Sequence, residues 1–367
     1  MSSTSGRRSA ASPLSCRRSA GRSDRVRQGG SCVATSRLTY TIKYIYLGGP
    51  SNARRPVVHA VHGGKRETML RFDRKVAIVT GGGRGLGRSH ALLLASRGAS
   101  VVVNDFGSSA AGQGSDTSPA DDVVAEIIAA GGKAVASYDS VSTGAEAVVR
   151  TAIEAFGRLD IVVNNAGINH MTPFGPEAIE SIRQHMEVNF FGTAAVTAAA
   201  WPHLIASGAG RVVNTASPTL VGFEQQSAYV ASKGAIFSFT RTLAMEALKA
   251  GIRVNAIAPT AYTRMAAEAE IPDDLKKMLE KSMTTAMVSP MVAYLAHEDC
   301  AITGETLLSQ GGSMQRFALT MNSGYTNAEV TPEDVQANLD AILDDAGSKP
   351  VGIIGTDNEG SLLDLFD

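Results

Sequence analysis

The chain is 367 residues long, 44% apolar and 19% charged, with 34 basic and 35 acidic side chains. No apolar run approaches the ~18 residues a membrane-spanning helix needs, which predicts a soluble globular protein. The balance of charge is uneven: residues 1–68 hold 13 Lys and Arg against Asp24 and Glu67 alone, and the rest holds 21 basic and 33 acidic residues. An acidic body argues against nucleic acid as a partner.

Residues 1–36 are Ser, Arg, Gly and Ala with almost no apolar periodicity, and cannot bury a core. None of the arginine pairs at 7–8, 17–18 and 54–55 precedes an apolar segment, so neither a secretory nor a twin-arginine signal is read. Three readings of this arm remain: a transit peptide, a polyanion-binding tail, or residues ahead of a natural start at Met69. The last is favoured, because Met-Leu-Arg-Phe-Asp-Arg-Lys-Val leads straight into a strand. The run 39–47 could pair as a strand, but nothing beside it would complete a sheet. Cys16, Cys32 and Cys300 have neither a disulfide framework nor metal-ligand spacing, and His59 and His62 lack a third ligand. A reduced, cytoplasmic protein without a metal is expected. The expected organisation is a disordered arm (1–68), a catalytic domain (69–318) and an acidic extension with one helix (319–367).

The body alternates. Residues 75–80 (KVAIVT) read as a buried parallel strand, 85–96 as a helix and 101–104 as the second strand. Ser118-Pro119 opens a helix with Ser118 as its cap, stopped by Gly131-Gly132. Residues 133–137 make the third strand. Thr143-x-x-Glu146 reads as a capping box for a helix ended by Gly157. Strands follow at 160–164, 211–215, 252–257 and 306–309, separated by helices at 176–206 and 227–250. Thr331-Pro332-Glu333-Asp334 caps a last helix. Strict alternation predicts an α/β domain: one doubly wound, Rossmann-type parallel sheet of about seven strands with helices on both faces.

Between the first strand and its helix lies Thr80-Gly-Gly-Gly-Arg-Gly-Leu-Gly87. Gly81, Gly85 and Gly87 suit a turn that needs positive φ and lets the backbone, with Leu86, approach a pyrophosphate at a helix N-terminus. Asp105 ends the second strand, where a carboxylate would accept the hydroxyls of an adenosine ribose and select NAD. Arg84 could instead meet a 2′-phosphate, which keeps NADP as the alternative. The plainer reading is that the glycines make only a tight loop.

Tyr229 and Lys233 are four apart and share one helix face. A free phenol is a poor base at neutral pH, and a lysine ammonium and an oxidised nicotinamide ring would both favour the phenolate. Tyr229 could then take or return the proton of an alcohol while a hydride moves. Ser217, ending the fifth strand, could hold the substrate oxygen, or could simply cap a turn. Val221, Phe223 and Met265 could make an apolar wall. Residues 266–286 read as a helical lid with methionines at 265, 278, 283, 287 and 291, which adapt to a long chain or merely cover the core.

In sequence order, Thr80-Gly-x-x-x-Gly-x-Gly87, Asn164-Asn165-Ala166-Gly167, Asn189, Ser217, Tyr229-x-x-x-Lys233 and Pro259 with Thr263 resemble the short-chain dehydrogenase/reductase family over about 72–315. The resemblance implies Asn189 in a water-linked proton relay with Lys233, and Lys233 on the nicotinamide ribose. It also implies Asn165, Ala166 and Gly167 on the adenosine side, Thr263 at the carboxamide, and a homodimer or homotetramer. Asn104-Asp105-Phe-Gly, the Gly/Ser-rich insertion at 107–118 and Tyr138-Asp139-Ser140-Val141 are similar to the (3R)-hydroxyacyl-CoA dehydrogenase part of peroxisomal multifunctional enzymes. By that likeness Asp139 and Ser140 face the adenine. Two features depart from the family pattern: Ser217 and Tyr229 are one residue closer than is common, with Pro218 between, and Pro259 is followed by Thr260 rather than Gly. The substrate loop is therefore shaped differently.

These features predict an NAD-dependent oxidoreductase of a secondary alcohol or ketone, with a 3-hydroxyacyl thioester as first substrate. The alternatives are an NADPH-dependent biosynthetic ketoreductase, a steroid or terpenoid alcohol dehydrogenase, and a non-catalytic dinucleotide sensor. No nucleic acid or membrane partner is expected.

Overall fold

The run Val-Ala-Ile-Val-Thr is apolar and β-branched on both faces. It forms β1 (Val76–Thr80), all of it buried, as a central parallel strand must be. The computed structural model describes residues 69–263 and 273–352. The readings of the arm, of the run at 39–47 and of Met265 fall outside the described residues.

Six more strands follow: β2 (Ser100–Asn104), β3 (Lys133–Ser137), β4 (Ile161–Asn164), β5 (Arg211–Thr215), β6 (Arg253–Thr260) and β7 (Thr306–Gln310). The hydrogen-bonded order is β3-β2-β1-β4-β5-β6-β7, with one further strand beyond β7. β1 pairs in parallel with β2 on one side and β4 on the other. The winding reverses there, and open α/β sheets bind ligands beyond the carboxyl ends of strands at such a point.

Side-chain alternation divides the core between the two faces. Val101 and Val103 face α1 (Gly85–Ser96), α2 (Ser118–Ala129) and α8 (Ser289–Ala296), packed with Leu94, Ile127 and Leu295. Val102 faces the opposite way, in a cluster with Val148 of α3 (Ala145–Phe156), Leu204 of α5 (Gly192–Ser207) and Ala244 of α6 (Ser227–Ala247). Truncating a fully buried leucine such as Leu94 or Leu204 to alanine costs about 2–5 kcal/mol.

Five local expectations need correction. An eighth strand, β8 (Ser313–Phe317), runs antiparallel to β7. Gly311 and Gly312, both at positive φ, turn the chain within two residues. The helix read over 176–206 is broken into α4 (Ala178–His185), a π-helical turn over Met186–Phe191, and α5. The Thr193 hydroxyl, in the first turn of α5, donates to the carbonyl of Asn189 in the π-turn at 2.7 Å. The capping box at Thr143 does not form, because Gly144 takes the cap position of α3, one residue later. Ser118 does not cap α2. Thr117 holds that position, and Asp116 Oδ1 accepts from both Ser118 N and Ser118 Oγ. The C-terminal capping box forms as read, between Thr331 and Asp334. Its helix stops after two turns, however, giving α9 (Pro332–Ala337) and α10 (Leu339–Leu343). The lid helix read from Asp273 is α7 (Asp273–Ser282).

Candidate active site

The carboxyl ends of β1, β2, β4 and β5 bring the candidate residues together. Thr80, the last residue of β1, organises the first part. Its Oγ1 accepts from Asn165 N and Ala166 N, both at 3.0 Å. In return Asn165 Nδ2 donates to the Thr80 and Gly81 carbonyls at 3.0 and 3.1 Å. The loop after β4 is thereby clamped onto the glycine turn. A Cβ at Gly87 would lie 2.0 Å from the Gly81 oxygen, so the turn requires glycine there for its own packing. Gly85, at φ 55°, is different, because its open side meets only Thr263, at 3.8 Å. Arg84 stands at the N-cap of α1 with extended backbone and makes no side-chain hydrogen bond to the helix, so its side chain does not claim the amides of the first turn. An uncapped N-terminus behind a glycine turn fits a dinucleotide pyrophosphate.

Asp105 follows β2 and is braced by the same turn. Its Oδ2 accepts from Gly83 N at 2.8 Å and its Oδ1 from Gly107 N at 2.7 Å. Each oxygen keeps a lone pair, and the carboxylate cannot swing away. Asn104 Nδ2 donates to the Asp139 carbonyl at 2.9 Å, which places exposed Asp139 and half-buried Ser140 beside Asp105. Arg84 Nη2 lies 3.4 Å from Asp116 Oδ2.

The second part is built from α6. Lys233 is 3% exposed, and its Nζ donates to the Thr215 carbonyl at the end of β5, 2.7 Å away. The ammonium lies 5.6 Å from the centre of the Tyr229 ring. Burial pulls Lys233 down to about 8. Burial pushes the Tyr229 phenol up, and a hydrogen bond with Ser217 opposes that shift. The expectation is that the lysine ammonium and an oxidised nicotinamide together favour the phenolate, and of these the protein itself supplies only the lysine. The lysine spends a short bond on a backbone carbonyl, and desolvation of the phenol outweighs the help from Ser217.

Ser217 takes the turn-capping role, one of the two weighed for it. It caps the 3₁₀ turn Pro218–Val221, accepting from Thr219 N at 3.2 Å, and it still reaches Tyr229. Asn189 sits fully buried in the π-turn. Its Oδ1 accepts from Ile168 N at 2.8 Å, and its Nδ2 donates to Ile168 O at 3.1 Å and Ser232 Oγ at 3.0 Å. A side chain at Gly167 would meet both Asn189 Oδ1 and Lys233 Nζ, so those atoms flank the same glycine. Thr263 stands across the turn from Gly85, and Pro259 lies in β6, paired with Ser309. Val221 is 77% exposed and Phe223 is half-buried. Among the lid methionines, Met283 and Met291 are buried while Met278 and Met287 are exposed.

Three contributors were not read from the sequence. Thr80 was noted only as part of the glycine motif. Ser232, between Tyr229 and Lys233, links α6 to Asn189. His185 is buried, with Nδ1 2.7 Å from the Ser181 carbonyl and Nε2 accepting from His170 N at 3.3 Å. These bonds fix a neutral ring protonated at Nδ1, and burial lowers its pKa. The ring stands edge-on to Tyr229, centroids 6.3 Å apart. Its signal was the Ser181–His185 spacing of four on a helix face, which also suits a surface pair.

The short chain dehydrogenase family matches residues 75–274. The peroxisomal multifunctional enzyme type 2 of Mus musculus is 42% identical over 303 residues, 81% of this chain and 40% of that protein. This chain thus spans less than half of that relative. A short chain dehydrogenase from Mycobacterium avium superposes with a TM-score of 0.63 at 34% identity, over 78% of this chain and 99% of that one. A 7α-hydroxysteroid dehydrogenase complexed with NADH and 7-oxo glycochenodeoxycholic acid gives a TM-score of 0.59 at 30% identity, over 66% of this chain and 95% of that one. With the glycine turn, the braced Asp105 and the Ser217–Tyr229–Lys233 group on its sheet ends, the chain belongs to the short-chain dehydrogenase/reductase family and is a nicotinamide-dependent oxidoreductase of alcohols and ketones.

Proposed function

We propose that the protein is an NAD-dependent dehydrogenase of an extended secondary alcohol, with a (3R)-hydroxyacyl thioester as its first substrate class. The observation that carries the chemistry is the convergence of Ser217 and buried Lys233 on Tyr229 at the end of β5. When bound, a nicotinamide supplies the hydride acceptor. Ser217 holds the substrate oxygen, and Tyr229, whose phenolate a bound oxidised nicotinamide would favour, takes the carbinol proton as the C–H hydride leaves. In reverse the phenol returns the proton to a carbonyl. Lys233 and Asn189, flanking Gly167, hold the ribose side and a water path for the proton. Asp105 and Asp139 line the adenosine end, with Gly81, Arg84, Gly85, Leu86 and Gly87 around the pyrophosphate.

The braced carboxylate of Asp105 supports NAD, since it accepts ribose hydroxyls and repels a 2′-phosphate. The thioester reading is supported by the 42% identity to a peroxisomal multifunctional enzyme, and the steroid reading by the hydroxysteroid dehydrogenase neighbour. Turnover efficiencies with NAD for a (3R)-hydroxyacyl-CoA and a hydroxysteroid decide between them. No activity on any acyl thioester would retire the first substrate and leave the hydride chemistry standing.

Residues 69–318 form the catalytic unit in this reading, and 1–68 are dispensable. α6 presents Ala231 and Ser238 exposed and Gly234 with nothing near its open side, which supports close helix contact in a homodimer or tetramer. No helix among the described residues is long and apolar enough to cross a membrane. We place the protein in the cytoplasm. Its mouse relative is named peroxisomal, and subcellular fractionation distinguishes the two.

A further inference from the structure

We propose that Asp116, in the insertion between β2 and α2, is a second cofactor-selecting residue: it occupies Arg84 and sets a negative charge beside the glycine turn, so that a 2′-phosphate finds no free cation there. This rests on the reading of that turn as the dinucleotide site.

Arg84 is the residue of the turn best placed to greet a phosphate, being exposed and at the N-cap of α1. Its guanidinium is engaged by Asp116. One helical turn on, Arg88 is paired with Glu126 of α2. Both basic side chains at this end of α1 are therefore matched by acids.

Asp116 is held in place. Its Oδ1 accepts from Ser118 N at 3.0 Å and Ser118 Oγ at 2.8 Å, leaving Oδ2 turned to Arg84. Its backbone lies against Gly107, where a Cβ would come within 1.8 Å of the Asp116 carbonyl oxygen. Gly107 N in turn donates to Asp105 Oδ1. The insertion thus leaves Asp105, loops out, and returns to deliver a second carboxylate to the same turn. The two acids act differently: Asp105 is fixed toward the ribose hydroxyls, and Asp116 takes the cation that a phosphate would use. The Arg84–Asp116 pair is solvent-exposed, and such pairs contribute little to stability. Its effect is therefore expected in ligand choice rather than in folding.

The test is nicotinamide fluorescence titration of the full chain with NADH and with NADPH, without substrate, for the parent, Asp116→Asn, and Asp116→Asn combined with Arg84→Ala. Asparagine can still accept from Ser118, so the insertion stays anchored. The ratio of NADPH to NADH dissociation constants should fall roughly tenfold in Asp116→Asn, the scale of one charge-assisted bond to phosphate. It should return toward the parent value in the double variant, and the fall should shrink as salt rises. An unchanged ratio in Asp116→Asn, or an equal fall when Arg84 is absent, would overturn the proposal. A parent that prefers NADPH would refute the NAD reading instead, and the ratio would still report on Asp116. Failure to bind either nucleotide would remove both.

Discussion

Lys233 should give the folded protein a pH signature of its own. Its side chain is 3% exposed, and burial lowers its pKa from 10.5 to about 8. In the unfolded chain it keeps its proton to the ordinary lysine value. Between the two values the unfolded state binds more protons than the folded one, so stability rises with pH in that window. Below the folded value both states are protonated, and the slope vanishes. Integrated from about pH 7 to about pH 10, the gain is about 2.5 kcal/mol. Other groups titrate there too. Tyr229 is raised in the fold and works in the opposite direction, losing stability as pH climbs above its unfolded value. The comparison must therefore be with Lys233→Met, which keeps Tyr229 and most of the packing but has nothing to titrate. Urea unfolding of both proteins, followed by circular dichroism without cofactor, gives their stability difference at each pH. That difference should move by about 2–3 kcal/mol in favour of the parent between neutral and alkaline pH. The absolute difference at neutral pH is a weaker test, because methionine also leaves the Thr215 carbonyl without its donor. A pH-independent difference would refute the reasoning. It would mean that Lys233 holds its proton in the fold as firmly as in water, and that the bond to Thr215 fully offsets its burial.

Tyr229→Phe keeps the ring against His185 and removes the proton carrier, so turnover should fall at least ~10²-fold. NADH affinity, read by fluorescence, should change little, and parent-like turnover would displace Tyr229 from its role. A chain beginning at Met69 should keep full activity and melting temperature, since residues 1–68 have no composition for a core. Loss of folding would show that the arm packs on the body. Light scattering at micromolar concentration should give at least a dimer, and a monomer mass would leave the small residues of α6 exposed without a partner.

The elements legible in the sequence are those fixed by local pattern. The runs VAIVT, SVVVN and RVVNT need burial on both faces, and Gly157 terminates α3 in the left-handed conformation. The glycine turn and the Tyr229–Lys233 pair were legible for the same reason, because each is set by a few adjacent residues. β8 was missed although Gly311-Gly312 marks a hairpin, because its polar sequence, SMQRF, is exposed along most of its length and shows no buried face. Asp116 was passed over because its work is done across 32 residues, on Arg84. Sequence periodicity does not register a bond of that range.

The π-turn shows best why part of the site was hidden. Read as one uninterrupted helix over 176–206, Asn189 is simply a polar residue among apolar neighbours. In the fold it is fully buried, and its amide bonds both backbone atoms of Ile168 and the Ser232 hydroxyl. Ser232 also donates to the Tyr229 carbonyl at 2.7 Å. One side chain thus ties the loop after β4 to the turn of α6 that carries Tyr229 and Lys233. A buried amide needs each of those partners, since any one left unmade costs about 1–3 kcal/mol. π-turns inside helices are rare and concentrate at functional sites. Here the irregular stretch coincides with the residue that joins the loop proposed to hold the cofactor to the helix proposed to move the proton, and in that reading the two parts must keep a fixed spacing for hydride and proton to move together.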